Sequence, residues 1–266
     1  MLKQRVITAL ILAALVLALI LLAPPWLFVA SMAALLMVGA WEWSALSGYG
    51  GREARAAYTL LFGFLAGFTQ FFAVYTCYRA EMLLCTLGAV WWLFDLGWLA
   101  FGRWLFPRAL KAAAGLLTLL PAFVAVVALW LAGARYLVIL LLLVAGADIG
   151  AYFAGRAFGR RKLAPSVSPG KTWEGVAGGV ALSAAVAAVV WRWLPVELGP
   201  FILIGMVISL ISVVGDLSES LFKRQAGLKD SGTLFPGHGG LLDRVDSLSA
   251  AAPLFWLGLH WLKALP

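Results

Sequence analysis

The sequence predicts an all-α integral membrane protein, a polytopic bundle of about nine transmembrane helices. Three observations predict this class: the chain is 64% hydrophobic, its mean hydropathy is +0.98, and only 12% of its 266 residues are charged. A soluble domain averages about 25% charged residues, so this composition cannot cover a globule with polar surface. Its solvent must be lipid, where only helices and closed barrels satisfy the backbone polar groups. The apolar runs are continuous and many reach 18 residues, which favours helices.

Apolar windows define nine candidate spans. The first follows Lys3 and Arg5, a start that also resembles a signal peptide, but its long apolar run predicts a retained helix. The division between the third and fourth spans is the weakest, because little more than CYRAE separates them. We expect residues 1–135 to form a helical scaffold of unassigned role and residues 136–266 to form the catalytic half with its cytoplasmic polar loops. The spans run near 6–23, 26–46, 58–76, 82–102, 112–131, 136–155, 175–194, 200–222 and 248–265.

The cations predict how the bundle is oriented. With nine spans and a cytoplasmic N-terminus, 16 of the 20 lysines and arginines fall on cytoplasmic segments. Cytoplasmic loops carry the excess of Lys and Arg in membrane proteins. The sequence therefore predicts a cytoplasmic N-terminus and an outside C-terminus. The net charge of +8 is explained by this orientation in the membrane, so no nucleic-acid partner is expected.

Four carboxylates lie inside the apolar spans: Glu42, Asp95, Asp148 and Asp216. A charged side chain at the centre of a membrane helix costs about 2.5–3.5 kcal/mol on the translocon scale, so each needs a partner, water or a bound cation. All four fall in the predicted cytoplasmic half of their spans, which indicates a polar cavity open to the cytosol. Glu42 and Asp95 have an equal alternative, a structural hydrogen bond between helices. Polar stretches follow Asp148 and Asp216 and favour a functional role for those two.

The first polar stretch, 148–175, reads DIGAYFAGRAFGRRKLAPSVSPGKTWEG. Its two prolines prevent helix continuation, so residues 163–172 are predicted to be a cytoplasmic loop. The GKT within it lacks the glycine spacing and the preceding strand of a phosphate-binding loop. Ser168, Lys171 and Thr172 nevertheless place a cation and two hydroxyls just before the seventh helix, whose N-terminus favours anions.

The second polar stretch begins in the eighth span. Asp216, Ser220 and Lys223 fall at i, i+4 and i+7, on one face of that helix. After the glycine-rich turn PGHGG, Asp243 and Asp246 fall at i and i+3, again on one helical face. Carboxylate oxygens, with water and phosphate oxygens, are the ligands that Mg²⁺ prefers. The pattern predicts a magnesium site with these three aspartates as its ligands, directly or through water.

Other residues complete the predicted site. Asp148 is a candidate for orienting the metal site or a cation near it. Three cationic side chains beside the aspartates are candidates for binding phosphate groups: Lys223, Arg224 and Arg244. The chain has two cysteines and two histidines, so a zinc site is not expected. The alternative, a solvated loop of salt bridges, does not explain an acid inside the membrane.

The run SLFKRQAGLKDSGTLFPGHGGLLDRVD, residues 220–246, resembles throughout the signature of the phosphatidate cytidylyltransferases, or CDP-diacylglycerol synthases. The resemblance extends to GDLSES before it, to the stretch 148–175 and, weakly, to EWSAL at 42–46. It covers about the C-terminal half of the chain. It implies a nucleotidyltransferase of phospholipid biosynthesis: CTP and phosphatidic acid give CDP-diacylglycerol and pyrophosphate. Mg²⁺ is implied as cofactor, and a second cation is left open.

The resemblance also implies roles and partners. The substrates are CTP and phosphatidic acid from the bilayer, and a homodimer is left open. The compactness of the chain favours a bacterial inner membrane, and the predicted topology turns the site towards the cytoplasm. The metal would be held by Asp216, Asp243 and Asp246, with Asp148 beside it. The remaining catalytic candidates are Lys223, Arg224 and Arg244, and the substrate-binding candidates are Ser168, Lys171, Thr172, Ser220, Lys229 and His238.

Two other functions stay open on the sequence. Another CTP-dependent enzyme acting on lipid phosphates shares the chemistry, although the DGxxAR pattern of the CDP-alcohol phosphotransferases is missing. A cation-coupled transporter also places acids inside membrane helices. It would predict interrupted helices in two similar halves, and no such repeat is visible.

Overall fold

The computed structural model describes residues 13–76, 79–102, 105–234 and 239–265. This part of the chain is helical apart from its loops and one small hairpin, so the all-α prediction is confirmed. Lys3, Arg5 and the start of the first predicted span lie outside the described residues. The helices are α1 (Ala13–Leu22), α2 (Pro25–Leu46), α3 (Arg52–Thr76), α4 (Arg79–Gly97), α5 (Arg108–Ala132), α6 (Ala134–Phe158), α7 (Trp173–Val190), α8 (Leu198–Gln225) and α9 (Leu242–Trp261).

Seven of these helices, α2 to α8, are long and apolar enough to cross a membrane. A π-helical turn, Trp98–Gly102, follows α4, and a 3-10 turn, Trp191–Trp193, follows α7. The predicted spans differ from the helices mainly at their ends. The protein is thus an integral membrane helical bundle, and the orientation of its termini stays a prediction.

Helix α9 is not among the seven helices counted as apolar enough to cross a membrane, and it packs largely against other helices. It lies against α4, α5 and α8. Its inner face is fully buried at Ala250, Phe255 and Trp256, among others. The helix begins at Leu242, earlier than the predicted ninth span. Its first turns therefore carry the predicted aspartate pair on one helical face.

Residues 163–172, predicted to be a loop, instead contain most of an antiparallel hairpin. Strand β1 (Lys162–Ala164) pairs with β2 (Ser168–Thr172), with Lys162 opposite Thr172. The prolines exclude a helix but not an edge strand, so the expectation of an irregular loop was wrong. The carboxylate of Glu174, in the first turn of α7, accepts hydrogen bonds from the amides of Arg160 and Arg161 and holds the hairpin against α7.

Helices α6 and α7 pack closely through small residues. A Cβ atom at Gly178 would collide with the Cβ of Ala154 and with the carbonyl oxygen of Gly150. Because backbone cannot move aside as a flexible side chain can, Gly178→Val is expected to lower the free energy of unfolding by about 1–3 kcal/mol. Thermal unfolding in detergent measures this. Gly67→Val on α3 is the matched control, since its Cβ would meet no atom within 4 Å; equal losses would contradict the packing argument.

Candidate functional site

A polar cavity of about 560 Å³ lies between α6, α7, α8, α9 and strand β2. It brings together six of the residues predicted from the sequence. One comes from α6, two from β2, one from α8 and two from α9. They are Asp148, Lys171, Thr172, Asp216, Asp243 and Asp246.

Close helix packing brings these acids together. Gly215 precedes Asp216 on α8, and a Cβ atom there would meet the carbonyl oxygen of Asp246 on α9. The missing side chain therefore lets the two helices approach, so that their aspartates share one cavity. Thr172 ends β2 and caps α7, because its Oγ1 accepts a hydrogen bond from the amide of Gly175 at 3.1 Å.

The first acid–lysine pair joins β2 to α8. Lys171 Nζ lies 2.5 Å from Asp216 Oδ2, and the two side chains are 24% and 34% exposed. Ser220, one turn further along α8, donates a hydrogen bond from Oγ to Asp216 Oδ1 at 3.4 Å. Asp148 lies within electrostatic reach of both Asp216 and Lys171. This pair is thus open to water and to ligands entering the cavity.

The second pair joins α8 to α9 and is more buried. Lys223 Nζ lies 2.5 Å from Asp243 Oδ1 and 3.4 Å from Glu219 Oε1. Asp243 Oδ2 accepts hydrogen bonds from the amides of Ser231 and Gly240, at 3.0 and 2.8 Å. Burial raises the pKa of Asp243, but the hydrogen bonds from Lys223 and the two amides outweigh it and lower the pKa below its usual value. Asp243 is therefore held as a carboxylate.

Asp246 lies between the two pairs, within electrostatic reach of Asp216 and Lys171. Its Oδ1 accepts a hydrogen bond from the amide of Ser247 at 2.7 Å. Burial and the neighbouring charge of Asp216 raise the pKa of Asp246 to about 7. A positive charge brought into the cavity would relieve this repulsion.

The donor set fits a divalent cation. Five carboxylates in and beside the cavity face three cationic side chains, which leaves a formal deficit of about two positive charges. Within the described part of the chain, no three acid or histidine side chains converge on one point. An ion would therefore take one or two carboxylates and complete its shell with water or phosphate oxygens, as Mg²⁺ usually does. The acids are Asp148, Asp216, Glu219, Asp243 and Asp246, and the cations are Arg156, Lys171 and Lys223.

Other predicted residues lie away from the cavity lining. Ser168 pairs with Ala164 in the hairpin. Arg224, at the end of α8, and Lys229, just beyond it, are exposed, as is Arg244 on α9. His238 lies outside the described residues, so its role in substrate binding stays a prediction.

Tyr152 and Arg156 are among the residues of the cavity wall that sequence reasoning missed. Arg156 Nη1 donates a hydrogen bond to Tyr152 Oη at 3.0 Å. Asp148, Tyr152 and Arg156 follow one another at i, i+4 and i+8 along α6, which places them on one helical face. That spacing was the signal available in the sequence, where Arg156 counted only as a topological cation.

The other two membrane acids, Glu42 and Asp95, do not line the cavity. Both form hydrogen bonds between elements of the bundle, which was the structural alternative stated for them above. Asp95 is fully buried and its Oδ1 accepts a hydrogen bond from Ser218 Oγ at 3.0 Å. Glu42 is 4% exposed and accepts hydrogen bonds from the amides of Leu241 and Leu242, at 3.0 and 2.9 Å. Both therefore join helices far apart in sequence.

Fold and site define a class: a polytopic helical membrane protein whose acid- and lysine-lined cavity is suited to anionic, metal-bound ligands. The sequence profile of the cytidylyltransferase family matches residues 3–262, and the chain belongs to this family of enzymes. Among its relatives is the phosphatidate cytidylyltransferase of Pseudomonas aeruginosa, 42% identical over 96% of both chains. That of Haemophilus influenzae is 38% identical over 96% of this chain and 97% of its own. That of Brucella suis is 48% identical over 47% of each chain.

Proposed function

We propose that the protein transfers a cytidylyl group from CTP to phosphatidate, giving CDP-diacylglycerol and pyrophosphate. The two full-length relatives carry the name of this activity, which supports CDP-diacylglycerol synthesis. The observation that carries the proposal is the junction of two cavities of opposite character. Val176 and Val213 line both the polar cavity and an apolar groove beside it.

The apolar groove suits an acyl chain. Its volume is about 490 Å³, and α4, β1, α7 and α8 contribute almost entirely apolar side chains to its wall. Along α8 it extends from Val207 to Leu217, ten residues or about 15 Å. Leu93 and Leu210 on its rim are 63% and 48% exposed, so the groove opens to the hydrocarbon. A lipid lying there would place its phosphate in the polar cavity.

The reaction demands positioning and charge neutralisation more than base catalysis. A phosphate monoester is already ionised near neutral pH. Its oxygen attacks the α-phosphorus of CTP, the bond from that phosphorus to the bridging oxygen breaks, and pyrophosphate leaves. Lys171, Lys223 and Arg156 would hold the phosphates, because charge-assisted hydrogen bonds bring the two anions together. The acids that pair with the lysines keep them placed before substrates arrive.

Asp216, Asp243 and Asp246 would hold Mg²⁺, one or two of them directly and the others through water, with Asp148 beside them. When bound, the ion supplies positive charge to the phosphate oxygens at the point where negative charge develops. Whether the same acids bind a second cation stays open. Since CTP is a cytosolic nucleotide, we place the cavity at the cytoplasmic face of a bacterial inner membrane. Attachment of a membrane-impermeant thiol reagent to Lys229→Cys, in a chain whose Cys77 and Cys85 are replaced by serine, tests that placement in sealed cells, because the placement predicts no labelling until the cells are opened.

The proposed activity is tested with purified protein in detergent, phosphatidate, Mg²⁺ and CTP tritiated in the cytidine. We expect label to enter the lipid fraction only when all components are present. A cation-coupled transporter would give no lipid label and would show ion flux in vesicles instead. Whether the protein forms a homodimer is a separate question, and chemical crosslinking of the purified protein in detergent tests it.

Narrowing the junction of the two cavities is expected to affect the lipid substrate alone. Val213→Phe would fill the passage between cavity and groove, so the KM for phosphatidate should rise roughly tenfold or more while the KM for CTP changes little. Leu203→Phe is the control, since Leu203 lies on the same helix, outside the groove, and is 56% exposed. Equal changes in both KM values for Val213→Phe would contradict the assignment of the groove.

A further inference from the structure

The carboxylate of Glu42, on α2, contacts the loop that leads into α9. Its Oε1 accepts a hydrogen bond from the amide of Leu241 at 3.0 Å. Its Oε2 accepts one from the amide of Leu242 at 2.9 Å and one from Ser231 Oγ at 3.0 Å. All three donors lie about 190 to 200 residues away along the chain.

The two amides belong to the N-terminus of α9, and Glu42 serves as a cap supplied by another helix. Leu241 is the N-cap residue of α9 and offers no side-chain oxygen of its own to the first turn. The first amides of a helix have no partner within it, and a carboxylate placed there also meets the positive end of the helix dipole. Glu42 thus fixes where α9 starts and how it is rotated.

Ser231 connects Glu42 to the site. Its Oγ lies 3.0 Å from Glu42 Oε2 and also 3.0 Å from Asp243 Oδ2, and its amide donates a hydrogen bond to the same Asp243 oxygen. Asp243 in turn pairs with Lys223. A continuous chain of polar contacts therefore runs from α2, outside the cavity, to an acid–lysine pair at its edge.

Two glycines in the described part of this loop lie directly against Glu42 and Ser231. A Cβ atom at Gly232 would collide with Glu42 Oε1, and one at Gly240 would collide with Ser231 Oγ. Gly239 has φ +79°, a backbone conformation that other residues rarely adopt. Gly232 and Gly240 thus let the backbone close around the buried carboxylate of Glu42, and Gly239 lets it turn beside Asp243.

We propose that Glu42 is a positioning residue for the cytidylyl transfer: by capping α9 and holding Ser231, it sets Asp243 and Asp246 in the cavity. The inference rests on the proposed function, and it gives the N-terminal half of the chain a part in the site. It assigns Glu42 no contact with a substrate.

The test is Glu42→Gln, which keeps the shape of the side chain but turns an NH₂ group towards amide or hydroxyl donors. We expect kcat to fall roughly tenfold or more, as it does for other residues that hydrogen-bond to metal ligands without contacting the metal. The Mg²⁺ concentration for half-maximal activity should rise. A second readout is independent of activity: hydrogen exchange at the amides of Gly240, Leu241 and Leu242 should become faster. Glu42→Asp, which keeps the charge, should recover part of kcat.

Asp95→Asn is the matched control, because Asp95 is equally buried and joins α4 to α8 away from the cavity lining. It should lower the melting temperature without changing kcat or the Mg²⁺ dependence. If Glu42→Gln behaves as Asp95→Asn does, with unchanged exchange at α9, the inference is overturned. If wild-type protein does not convert CTP at all, the proposed function fails, and the exchange measurement still decides whether Glu42 caps α9.

Discussion

Asp246→Asn is expected to reduce kcat by roughly 10²-fold or more while the protein keeps its melting temperature. Asp246 lines the polar cavity beside Asp216, where the acids outnumber the cations. Asparagine has the same shape, and its oxygen still accepts the hydrogen bond from the amide of Ser247. The variant therefore removes an acid from the cavity while it keeps the shape of the side chain.

The measurement is tritiated CTP entering phosphatidate, at Mg²⁺ concentrations raised well above that needed by wild type. Glu53→Gln is the control, since Glu53 is an exposed acid in the first turn of α3. It should behave as wild type. Near-normal turnover by Asp246→Asn would show that Asp246 does not serve the reaction.

Lys223→Met is expected to have the largest effect on stability. The Lys223 side chain is 12% exposed, and it lies between Asp243 and Glu219, whose side chains are 11% and 4% exposed. Methionine keeps the length of the chain but leaves two buried carboxylates without their cation. Breaking a buried ion pair from one side costs about 3–5 kcal/mol, so the free energy of unfolding should fall by that order. Turnover should fall as well.

Two comparisons make this prediction specific. Lys171→Met removes the cation of the more exposed pair, 24% and 34% exposed, and should cost less stability because water screens the remaining charge. Adding Asp243→Asn to Lys223→Met should recover part of the loss, since it removes one unpaired charge. Chemical unfolding in detergent measures all three variants. Equal losses for the two lysines would contradict the burial argument.

The helices and the site acids were predictable because local signals carry them. Long apolar runs define the spans, and the i, i+3 and i+4 spacings place Asp216, Asp243 and Asp246 on helical faces. The hairpin was not predictable: two prolines exclude a helix, but no local pattern distinguishes a short strand pair from a loop. The hydrogen bonds from the amides just before β1 to Glu174 on α7 hold it in place, and these are tertiary contacts.

Glu42 and Tyr152 differ in how much of their surroundings the sequence reveals. Tyr152 stands at a helical spacing from Asp148, so the sequence contained the information. Glu42 contacts an amide 199 residues away, and no spacing along the chain encodes such a contact. An acid inside a membrane span indicates that a partner must exist. Only the packing of α2 against the loop before α9 identifies that partner.

The central claim is that the polar cavity joins CTP to the lipid through the α-phosphorus. Two parallel reactions with purified protein test it most directly, one with CTP labelled at the α-phosphate and one with CTP labelled at the γ-phosphate. We predict that the α label enters the lipid, the γ label appears as pyrophosphate, and Asp246→Asn gives neither. Transfer of the γ label to lipid would identify a lipid kinase, and retention of both labels in CTP would rule out nucleotide transfer; either result would contradict the claim.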